Sequence, residues 1–146
     1  MSERYYLDTS AIIKRYVEEQ GSRTVDDLFN RAHKGSVAII LSYWNIGEAA
    51  VVFDKYERLG LKSTEVFKVM LRELRMLLRT RSAILVNVTP RIIRESVKLV
   101  FKHHLYIADA IQITSAKQAN ARILVTGDAR LAEACRAEGL ETVYLA

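Results

Sequence analysis

Cysteine, proline and histidine are scarce in this chain of 146 residues, which contains one cysteine, one proline and three histidines. The single cysteine, Cys135, has no partner for an internal disulfide. The three histidines, His33, His103 and His104, are too few and too unevenly spaced for a zinc cluster. We therefore expect a chain that folds without disulfides or structural zinc, in a reducing compartment such as the cytoplasm.

Long apolar runs are also absent, because no segment approaches the ~20 apolar residues that a membrane-spanning helix needs. The first residues, MSERYYLD, lack the basic and then apolar pattern of a signal peptide. Hydrophobic residues make up 50% of the chain and charged residues 27%, which is typical of a folded domain. We expect one domain over residues 1–146 with no membrane contact. Its formal net charge of +5 permits a polyanionic partner without requiring one.

Short apolar runs alternate with helical patterns along the chain. The runs are apolar throughout rather than at every second position, as expected for strands that a parallel sheet buries on both faces. This order of elements predicts an α/β layer fold. The predicted strands are residues 5–7, 37–41, 83–88 and 123–126, with 142–145 as a possible fifth.

Serine, threonine and glycine residues mark where the predicted helices begin and end. Thr89 and Pro90, for example, supply the N-cap and the first position of one helix. The predicted helices are residues 10–19, 22–33, 42–59, 63–80, a segment from Pro90 onward, 106–117 and 129–138.

Two of these helices have apolar residues at helical spacing, which predicts their buried faces. On the helix over residues 63–80 the apolar stripe consists of Val66, Met70, Leu74, Leu77 and Leu78. On the helix from Pro90 the predicted buried side consists of Ile92, Ile93, Val97, Val100 and Phe101.

Four acidic residues stand among apolar neighbours. Asp8 follows YYL, Glu48 lies in WNIGEAAVV, Asp109 lies in YIADAIQI, and Asp128 follows ILVTG. Burying an ionised carboxylate is costly unless it is paired, bound to a metal or shifted in pKa. Each residue also has a local interpretation: Asp8 and Asp128 as helix N-caps, Glu48 at the rim of the fold, and Asp109 hydrogen-bonded to a hydroxyl such as that of Tyr106.

The predicted fold favours a joint interpretation of these acids. Asp8 and Asp128 follow strands, and ligands of open parallel sheets bind outside the carboxyl ends of the strands. Glu48 lies early in the helix after the second strand, and Asp109 lies early in the helix before the fourth. Carboxylates that converge at such an edge repel each other, and a divalent cation relieves this repulsion. Oxygen ligands indicate Mg²⁺ or Mn²⁺ rather than zinc.

Four segments of the chain resemble, in order and spacing, the acidic motifs of the PIN-domain nucleases. They are YLDTSAIIKRY (6–16), LSYWNIGEAA (41–50), HLYIADAIQITSA (104–116) and ILVTGDARL (123–131). Within that family the chain is most similar to VapC-type toxins, the ribonuclease components of toxin–antitoxin modules. The resemblance covers essentially the whole chain and implies a three-layer sandwich, in which helices flank a central, mostly parallel sheet of four to five strands.

By position, the resemblance makes Asp8, Glu48, Asp109 and Asp128 the catalytic, metal-binding acids. It implies hydrolysis of RNA phosphodiester bonds with Mg²⁺ or Mn²⁺ as the cofactor. A cation held by Asp8 and Asp109 would lower the pKa of a bound water, and the other two acids would hold a second ion or orient water molecules.

Hydroxyl residues accompany the acids in the family's motifs. Thr9 and Ser10 match the small hydroxyl residues that follow the first acid, and Thr126 occupies the threonine position of Thr-x-Asp. One position departs from the pattern: Arg130 stands where many members have a further aspartate, which leaves a fifth acidic ligand without a candidate. The resemblance also implies a cognate antitoxin and a homodimer as partners.

RNA that approaches an acidic site requires positive charge nearby. The candidate RNA-binding residues are Lys14, Arg15, Lys68, Arg72, Arg75 and Arg79. The last four recur along one stripe of a helix, and the alternative interpretation is an ordinary solvated face.

Other side chains have two interpretations as well. Tyr16, Tyr43 and Trp44 are candidates for stacking on bases, but their apolar neighbours favour core packing. His103 and His104 are candidates for a general acid, although a surface position is the more common case for histidine pairs of this kind.

Two rival functions remain at this point. One is a phosphotransfer enzyme with Asp8 as covalent nucleophile, which lacks a second aspartate at Ser10 and any Gly-rich phosphate loop. The other is a catalytically silent PIN-like module that binds RNA or protein. Retention of all four acids disfavours this module, because binding alone does not require clustered carboxylates.

Overall fold

Five parallel strands form the central sheet, in the order β3-β2-β1-β4-β5. The strands are β1 (Glu3–Leu7), β2 (Val37–Ser42), β3 (Ala83–Val86), β4 (Ile123–Thr126) and β5 (Glu141–Tyr144). The structure is a computed structural model that describes residues 3–145. Met1, Ser2 and Ala146 lie outside the described residues, so a single domain over 1–146 stays a prediction.

Helices cover both faces of the sheet. They are α1 (Thr9–Ile13), α2 (Ser22–His33), α3 (Tyr43–Arg58), α4 (Ser63–Arg79), α5 (Pro90–His103), α6 (Ile107–Gln118) and α7 (Ala129–Ala137). Local capping sets several starts: the Thr89 hydroxyl accepts a hydrogen bond from the Ile92 N–H, and Ser42 forms a capping box with Asn45.

Alternate residues of the strands point into two separate cores. Leu7, Ile39 and Val125 lie in the core formed with α1, α2, α3 and α4. Their neighbours Tyr6 and Leu124 lie in the core formed with α5, α6 and α7. The three-layer α/β arrangement and the parallel sheet expected from the sequence are therefore confirmed.

The first helix differs most from its prediction. A helix over residues 10–19 is expected, but α1 ends at Ile13. The following N–H groups of Lys14, Arg15 and Tyr16 bond three residues back, to carbonyl groups of α1. This tighter turn redirects the chain, and it places Arg15 and Tyr16 against Glu73 of α4.

The buried side of α5 also differs from its prediction. Ile92, Ser96 and Leu99 are the buried residues of α5. Three residues predicted to be buried are exposed instead: Ile93, Val97 and Phe101. Ser96 faces α6, where its hydroxyl donates to the Thr114 hydroxyl at 3.0 Å, and this small residue lets the two helices approach.

Smaller differences concern element ends. Strand β3 ends at Val86 rather than at residue 88, and β5 begins one residue earlier than expected. Leu78, predicted as part of the apolar stripe of α4, is exposed. In the described part of the chain, no helix is both long enough and apolar enough to cross a membrane.

Candidate functional site

The candidate site lies at the carboxyl edge of the two central strands. Asp8 directly follows β1, and Asp128 comes two residues after the adjacent strand β4. The two strands pair in register up to Leu7 and Val125. The Thr126 hydroxyl donates to Asp8 Oδ2 at 2.5 Å and accepts from the Asp128 N–H at 3.0 Å, so it connects the two acidic segments.

Asp8 is the most enclosed of the acids, with 5% of its surface exposed. Its Oδ1 accepts from the Ser10 hydroxyl at 2.7 Å and from the Ala11 N–H at 2.9 Å, which makes it the N-cap of α1. The pKa of Asp8 is raised to about 6, mainly by burial and also by the negative charge of Asp128. The hydrogen bonds from Thr126, Ser10 and Ala11 have the opposite effect and lower this pKa.

Asp128 is the N-cap of α7. Its Oδ1 accepts from the N–H groups of Arg130 and Leu131 at 2.9 and 3.2 Å. The N-cap interpretation is thus confirmed for both Asp8 and Asp128. It does not compete with a functional role, because capping by Asp128 uses one carboxylate oxygen only.

Asp109 lies in the first turn of α6. Within residues 3–145 its carboxylate forms no hydrogen bond and no ion pair, and the predicted bond to the Tyr106 hydroxyl is not formed. Burial raises the pKa of Asp109 to about 6, with further increases from Asp128 and Glu48 and a smaller opposing effect of Arg130. Asp109 is therefore a partly buried acid without a local partner.

Glu48 lies on α3, where its Oε1 accepts from the Thr9 hydroxyl at 2.7 Å. Its negative charge raises the pKa of Asp109, so the two carboxylates lie within electrostatic range of each other. Such electrostatic effects link all four predicted acids. The charge of Asp128 raises the pKa of Asp8, and the charges of Asp128 and Glu48 raise the pKa of Asp109.

The direction of α6 explains how Asp109 reaches this edge. Arg4, near the start of β1, donates to the carbonyl of Ala119 at the carboxyl end of α6. The helix therefore runs against the strands, and its first turn lies at their carboxyl edge. The amino ends of α6 and α7 therefore both lie at this edge, with Asp109 in the first turn of α6 and Asp128 at the N-cap of α7.

A buried polar layer lies against this site and was not anticipated. It consists of Tyr6, Asn45 and Gln112, which are 0%, 0% and 2% exposed. The Tyr6 hydroxyl lies within hydrogen-bond distance of both amide oxygens, at 2.6 Å from Gln112 Oε1 and 3.1 Å from Asn45 Oδ1. The available signal was a single amide side chain inside each of the apolar runs YWNIG and AIQI.

The basic candidates do not join the acids. Lys14 binds Glu19, Lys68 binds Glu65, and Arg15 binds Asp26. The remaining three are exposed on α4: Arg72, Arg75 and Arg79. In the part of the chain that the structure describes, none of the six contacts any of the four acids.

The side chain of Arg15 binds other residues of the chain and is not available to a ligand. Its Nε and Nη2 donate to the two oxygens of Glu73 at 3.0 and 2.8 Å. Its guanidinium also lies over the Phe29 ring, 5.1 Å from the centroid. This bidentate contact within the fold explains why Arg15 is a poor candidate for RNA binding.

The aromatic candidates separate into two groups. Tyr16 packs edge-on against Phe29, with ring centroids 6.1 Å apart, as core packing predicts. Tyr43 and Trp44 are 51% and 39% exposed, so the core interpretation is wrong for these two. They occupy the first turn of α3, about one turn before Glu48.

Neither histidine of the candidate pair reaches the acids. His103 contacts Glu138, with Nε2 and Oε2 2.7 Å apart. His104 is exposed and adopts a left-handed conformation at the end of α5. Both residues therefore lie at the carboxyl end of α5.

The donor chemistry of the site suits a hard cation, since it consists of carboxylates and hydroxyls without histidine or cysteine. Asp109 accepts no hydrogen bond from the described residues, and Asp128 uses one oxygen for capping. No group of three or more acidic, histidine or cysteine side chains among residues 3–145 is arranged to hold a metal ion. The residue types therefore fit Mg²⁺ or Mn²⁺. The side chains of the described residues are not close enough together, as placed, to coordinate one ion through three of them.

Comparison with known proteins identifies the fold. The family model described as PIN domain matches residues 5–137. No curated protein sequence matches the chain. Among solved structures, PAE2754 from Pyrobaculum aerophilum is 23% identical, covers 97% of this chain and 84% of its own, and has a TM-score of 0.63.

Two further structures have similar folds. The VapC20 toxin of Mycobacterium tuberculosis, described as cleaving the sarcin-ricin loop, is 11% identical over 93% of this chain and 95% of its own, with a TM-score of 0.68. VapBC2 of Rickettsia felis, bound to a DNA fragment from its promoter, is 17% identical over 98% and 99%, with a TM-score of 0.65. At these identities the similarity shows a shared fold.

Proposed function

This chain belongs to the PIN domain family, and on that premise we propose that it is a divalent-metal-dependent endoribonuclease, the toxin of a toxin–antitoxin module. The observation that supports the proposal is that four carboxylates from four separate segments lie near one sheet edge, where Asp128 raises the pKa of Asp8, and Asp128 and Glu48 raise that of Asp109. Two of them, Asp8 and Asp109, have a pKa raised to about 6, mainly by burial. A pKa raised by burial means that the ionised form of Asp8 and Asp109 is disfavoured in the folded chain, and acids of this kind are concentrated at functional sites.

Asp8, Glu48, Asp109 and Asp128 are the proposed ligands of Mg²⁺ or Mn²⁺. When bound, the ion would polarise an RNA phosphate and lower the pKa of a water molecule. Ser10 and Thr126 hold the Asp8 carboxylate in one orientation, because they donate to its two different oxygens. Asp109, which has no hydrogen bond within the described residues, is free to turn toward the ligand.

RNA as the substrate is supported by several observations. The fold is shared with a toxin described as cleaving the sarcin-ricin loop. The formal net charge of +5 favours a polyanion. Tyr43 and Trp44 are exposed one turn from Glu48, and we propose that they stack on bases of an unpaired RNA segment.

Protein partners are proposed from exposed apolar side chains and from the family. Large apolar residues are exposed on the α3–α4 pair, namely Val51, Leu59, Leu61, Val69 and Met76. A second group on α5 consists of Ile93, Val97 and Phe101. We propose that these surfaces serve a cognate antitoxin and a homodimer in the cytoplasm, since exposed apolar patches mark interaction sites.

RNA cleavage by the full chain tests the proposed activity. We expect cleavage with Mg²⁺ or Mn²⁺ and none with EDTA. Asp8→Asn and Asp109→Asn should each lower the rate by more than the ~10–100-fold that partners outside the ligand shell typically cost. Asp54→Asn, the same change at an exposed position of α3, is the matched control.

Two outcomes would contradict the proposal. If Asp8→Asn and Asp109→Asn cleave as fast as the parent chain, the assigned acids are wrong. If the parent chain binds RNA but does not cleave it with either metal, a silent RNA-binding module replaces the nuclease. A phosphotransfer reaction at Asp8 is disfavoured by its 5% exposure and by the hydrogen bonds on both of its oxygens.

A further inference from the structure

The buried amide of Asn45 has one possible orientation. The Ser42 N–H donates to Asn45 Oδ1 at 2.7 Å, and a backbone N–H can only donate. Oδ1 must therefore point toward Ser42, and Nδ2 must point the other way. The two N–H bonds of Nδ2 are directed at Thr9 Oγ1, 2.9 Å away, and at Gln112 Oε1, 2.8 Å away.

The orientation of Asn45 decides where the Thr9 proton lies. Because Asn45 Nδ2 donates to the Thr9 hydroxyl oxygen, Thr9 accepts on that side. Its single proton is then left for Glu48 Oε1, at 2.7 Å. The backbone N–H of Ser42, the N-cap of α3, thus controls through Asn45 and Thr9 a hydrogen bond to Glu48, six residues further along the chain.

Gln112 closes the network from α6. Its Nε2 donates to the carbonyl of Ala108 at 3.1 Å, so its Oε1 faces Asn45 and Tyr6. Oε1 accepts from Asn45 Nδ2 and from the Tyr6 hydroxyl. Gln112 lies one turn after Asp109 on the same helix, so the network connects the α3 segment that carries Glu48 to the α6 segment that carries Asp109.

We propose that Asn45 is a positioning residue, which acts through Thr9 to hold the Glu48 carboxylate toward the metal-binding acids. This inference rests on the proposed function, because it takes Glu48 as a ligand of the ion. The two N–H bonds of Asn45 Nδ2 and the proton of Thr9 each have one acceptor in this network, so the loss of Asn45 releases Thr9 and the loss of Thr9 releases Glu48. Buried networks of this kind are sensitive to single substitutions.

Binding of Mn²⁺ alone to the metal-free full chain, followed by calorimetry, tests this role. Thr9→Val removes the hydroxyl and should weaken Mn²⁺ binding by ~10–100-fold, as for other partners outside the ligand shell. Thr9→Ser keeps the hydroxyl and should bind within about twofold of the parent chain. Asn45→Ser leaves a hydroxyl one bond shorter than the amide nitrogen and should weaken binding as Thr9→Val does.

The double variant distinguishes a positioning role of Asn45 from a general loss of stability. If Asn45 acts through Thr9, Asn45→Ser together with Thr9→Val should weaken Mn²⁺ binding no more than Thr9→Val alone. Thr114→Val is the matched control, because it removes a buried hydroxyl bond on α6 away from the site. It should lower the melting temperature and leave Mn²⁺ affinity unchanged.

Several outcomes overturn the proposal. Additive losses in the double variant, or parent-like binding by Thr9→Val, would show that Asn45 does not act through Thr9. The Thr9→Val result decides this even if Asn45→Ser fails to fold. A parent chain that neither binds Mn²⁺ nor cleaves RNA would overturn the proposed function and this inference with it, whereas a parent chain that does both, with unaffected variants, would overturn this inference only.

Discussion

Folding makes the negative charge of Asp109 unfavourable. Its pKa is raised to about 6, first by burial and then by Asp128 and Glu48. An acid whose pKa rises on folding lowers stability above that pKa, and this cost disappears once the pH falls below its unfolded value near 4. At the residue scale, the site is therefore a source of instability that a bound cation would remove.

Asp109→Asn should for this reason raise the free energy of unfolding in EDTA at pH 7, by about 1 kcal/mol, while RNA cleavage is lost. The gain should shrink as the pH falls from 7 to 4, because Asp109 of the parent chain becomes neutral over that range. Urea unfolding at several pH values measures both effects. A variant that is less stable than the parent at pH 7 would contradict this account.

Glu73 represents the opposite case, a carboxylate that supports the fold. Burial alone would raise its pKa, but hydrogen bonds from Arg15, His33 and Tyr16 lower it to about 2. An acid whose pKa falls on folding contributes stability above its unfolded pKa, and this contribution is lost as the pH falls toward the folded value. The window lies between about pH 5 and pH 2.

Glu73→Gln should lower the free energy of unfolding at pH 7 by roughly 2 kcal/mol, since it breaks an ion-paired cluster. The difference from the parent chain should become smaller below pH 4. Urea unfolding at pH 7, 5 and 3 tests this, with Glu65→Gln at an exposed position of α4 as the control. Equal differences at all three pH values would be inconsistent with ionisation of Glu73 as the cause.

At the scale of elements, α5 shows how an apolar pattern can misidentify a buried face. Ile92, Ile93 and Val97 are all compatible with one helical stripe, yet Ser96 faces the neighbouring helix α6. Apolar residues at interaction surfaces and in cores have the same spacing, and only the position of the neighbouring helix distinguishes them.

Substitutions on α5 test this assignment. Leu99→Ala should lower the free energy of unfolding by about 2–5 kcal/mol, because Leu99 is buried. Phe101→Ala should change the stability of the dilute monomer by less than about 0.5 kcal/mol, since 78% of Phe101 is exposed. Chemical unfolding at low protein concentration compares the two, and a reversed order would show that α5 is rotated relative to this structure.

At the scale of the whole molecule, net charge and local charge differ. The chain carries a formal charge of +5, while the candidate site is acidic. Three arginines on α4, Arg72, Arg75 and Arg79, are exposed and contact none of the four acids in the structure as described. They either contact RNA phosphates or form an ordinary solvated face.

Salt dependence of RNA binding decides between these interpretations. If Arg72 and Arg75 contact phosphates, the pair Arg72→Gln and Arg75→Gln should reduce the slope of log K against log salt by about 1.4, at ~0.7 per contact. Fluorescence anisotropy in EDTA measures binding without cleavage. The pair Arg23→Gln on α2 and Lys34→Gln at the C-cap of α2 removes the same charge from exposed positions. An equal effect of both pairs on the slope would mean that α4 makes no specific contact with RNA.

The sequence was sufficient for features that depend on local chemistry. Asp8, Ser42 and Asp128 were recognisable as helix caps, because a cap binds N–H groups two or three residues away. The apolar strands predicted the parallel sheet, and four motifs in order predicted the PIN family. Asp109 was recognisable as an acid among apolar neighbours.

Tertiary structure alone decided the features that join distant segments. The contact of Arg15 with Glu73 spans 58 positions, and that of Tyr6 with Gln112 spans 106. The exposure of Trp44 depends on how α3 packs against its neighbours, and the position of Asp109 depends on the direction of α6. Hydrogen bonds within a turn follow from neighbouring residues, whereas these contacts form only after whole helices have packed on the sheet.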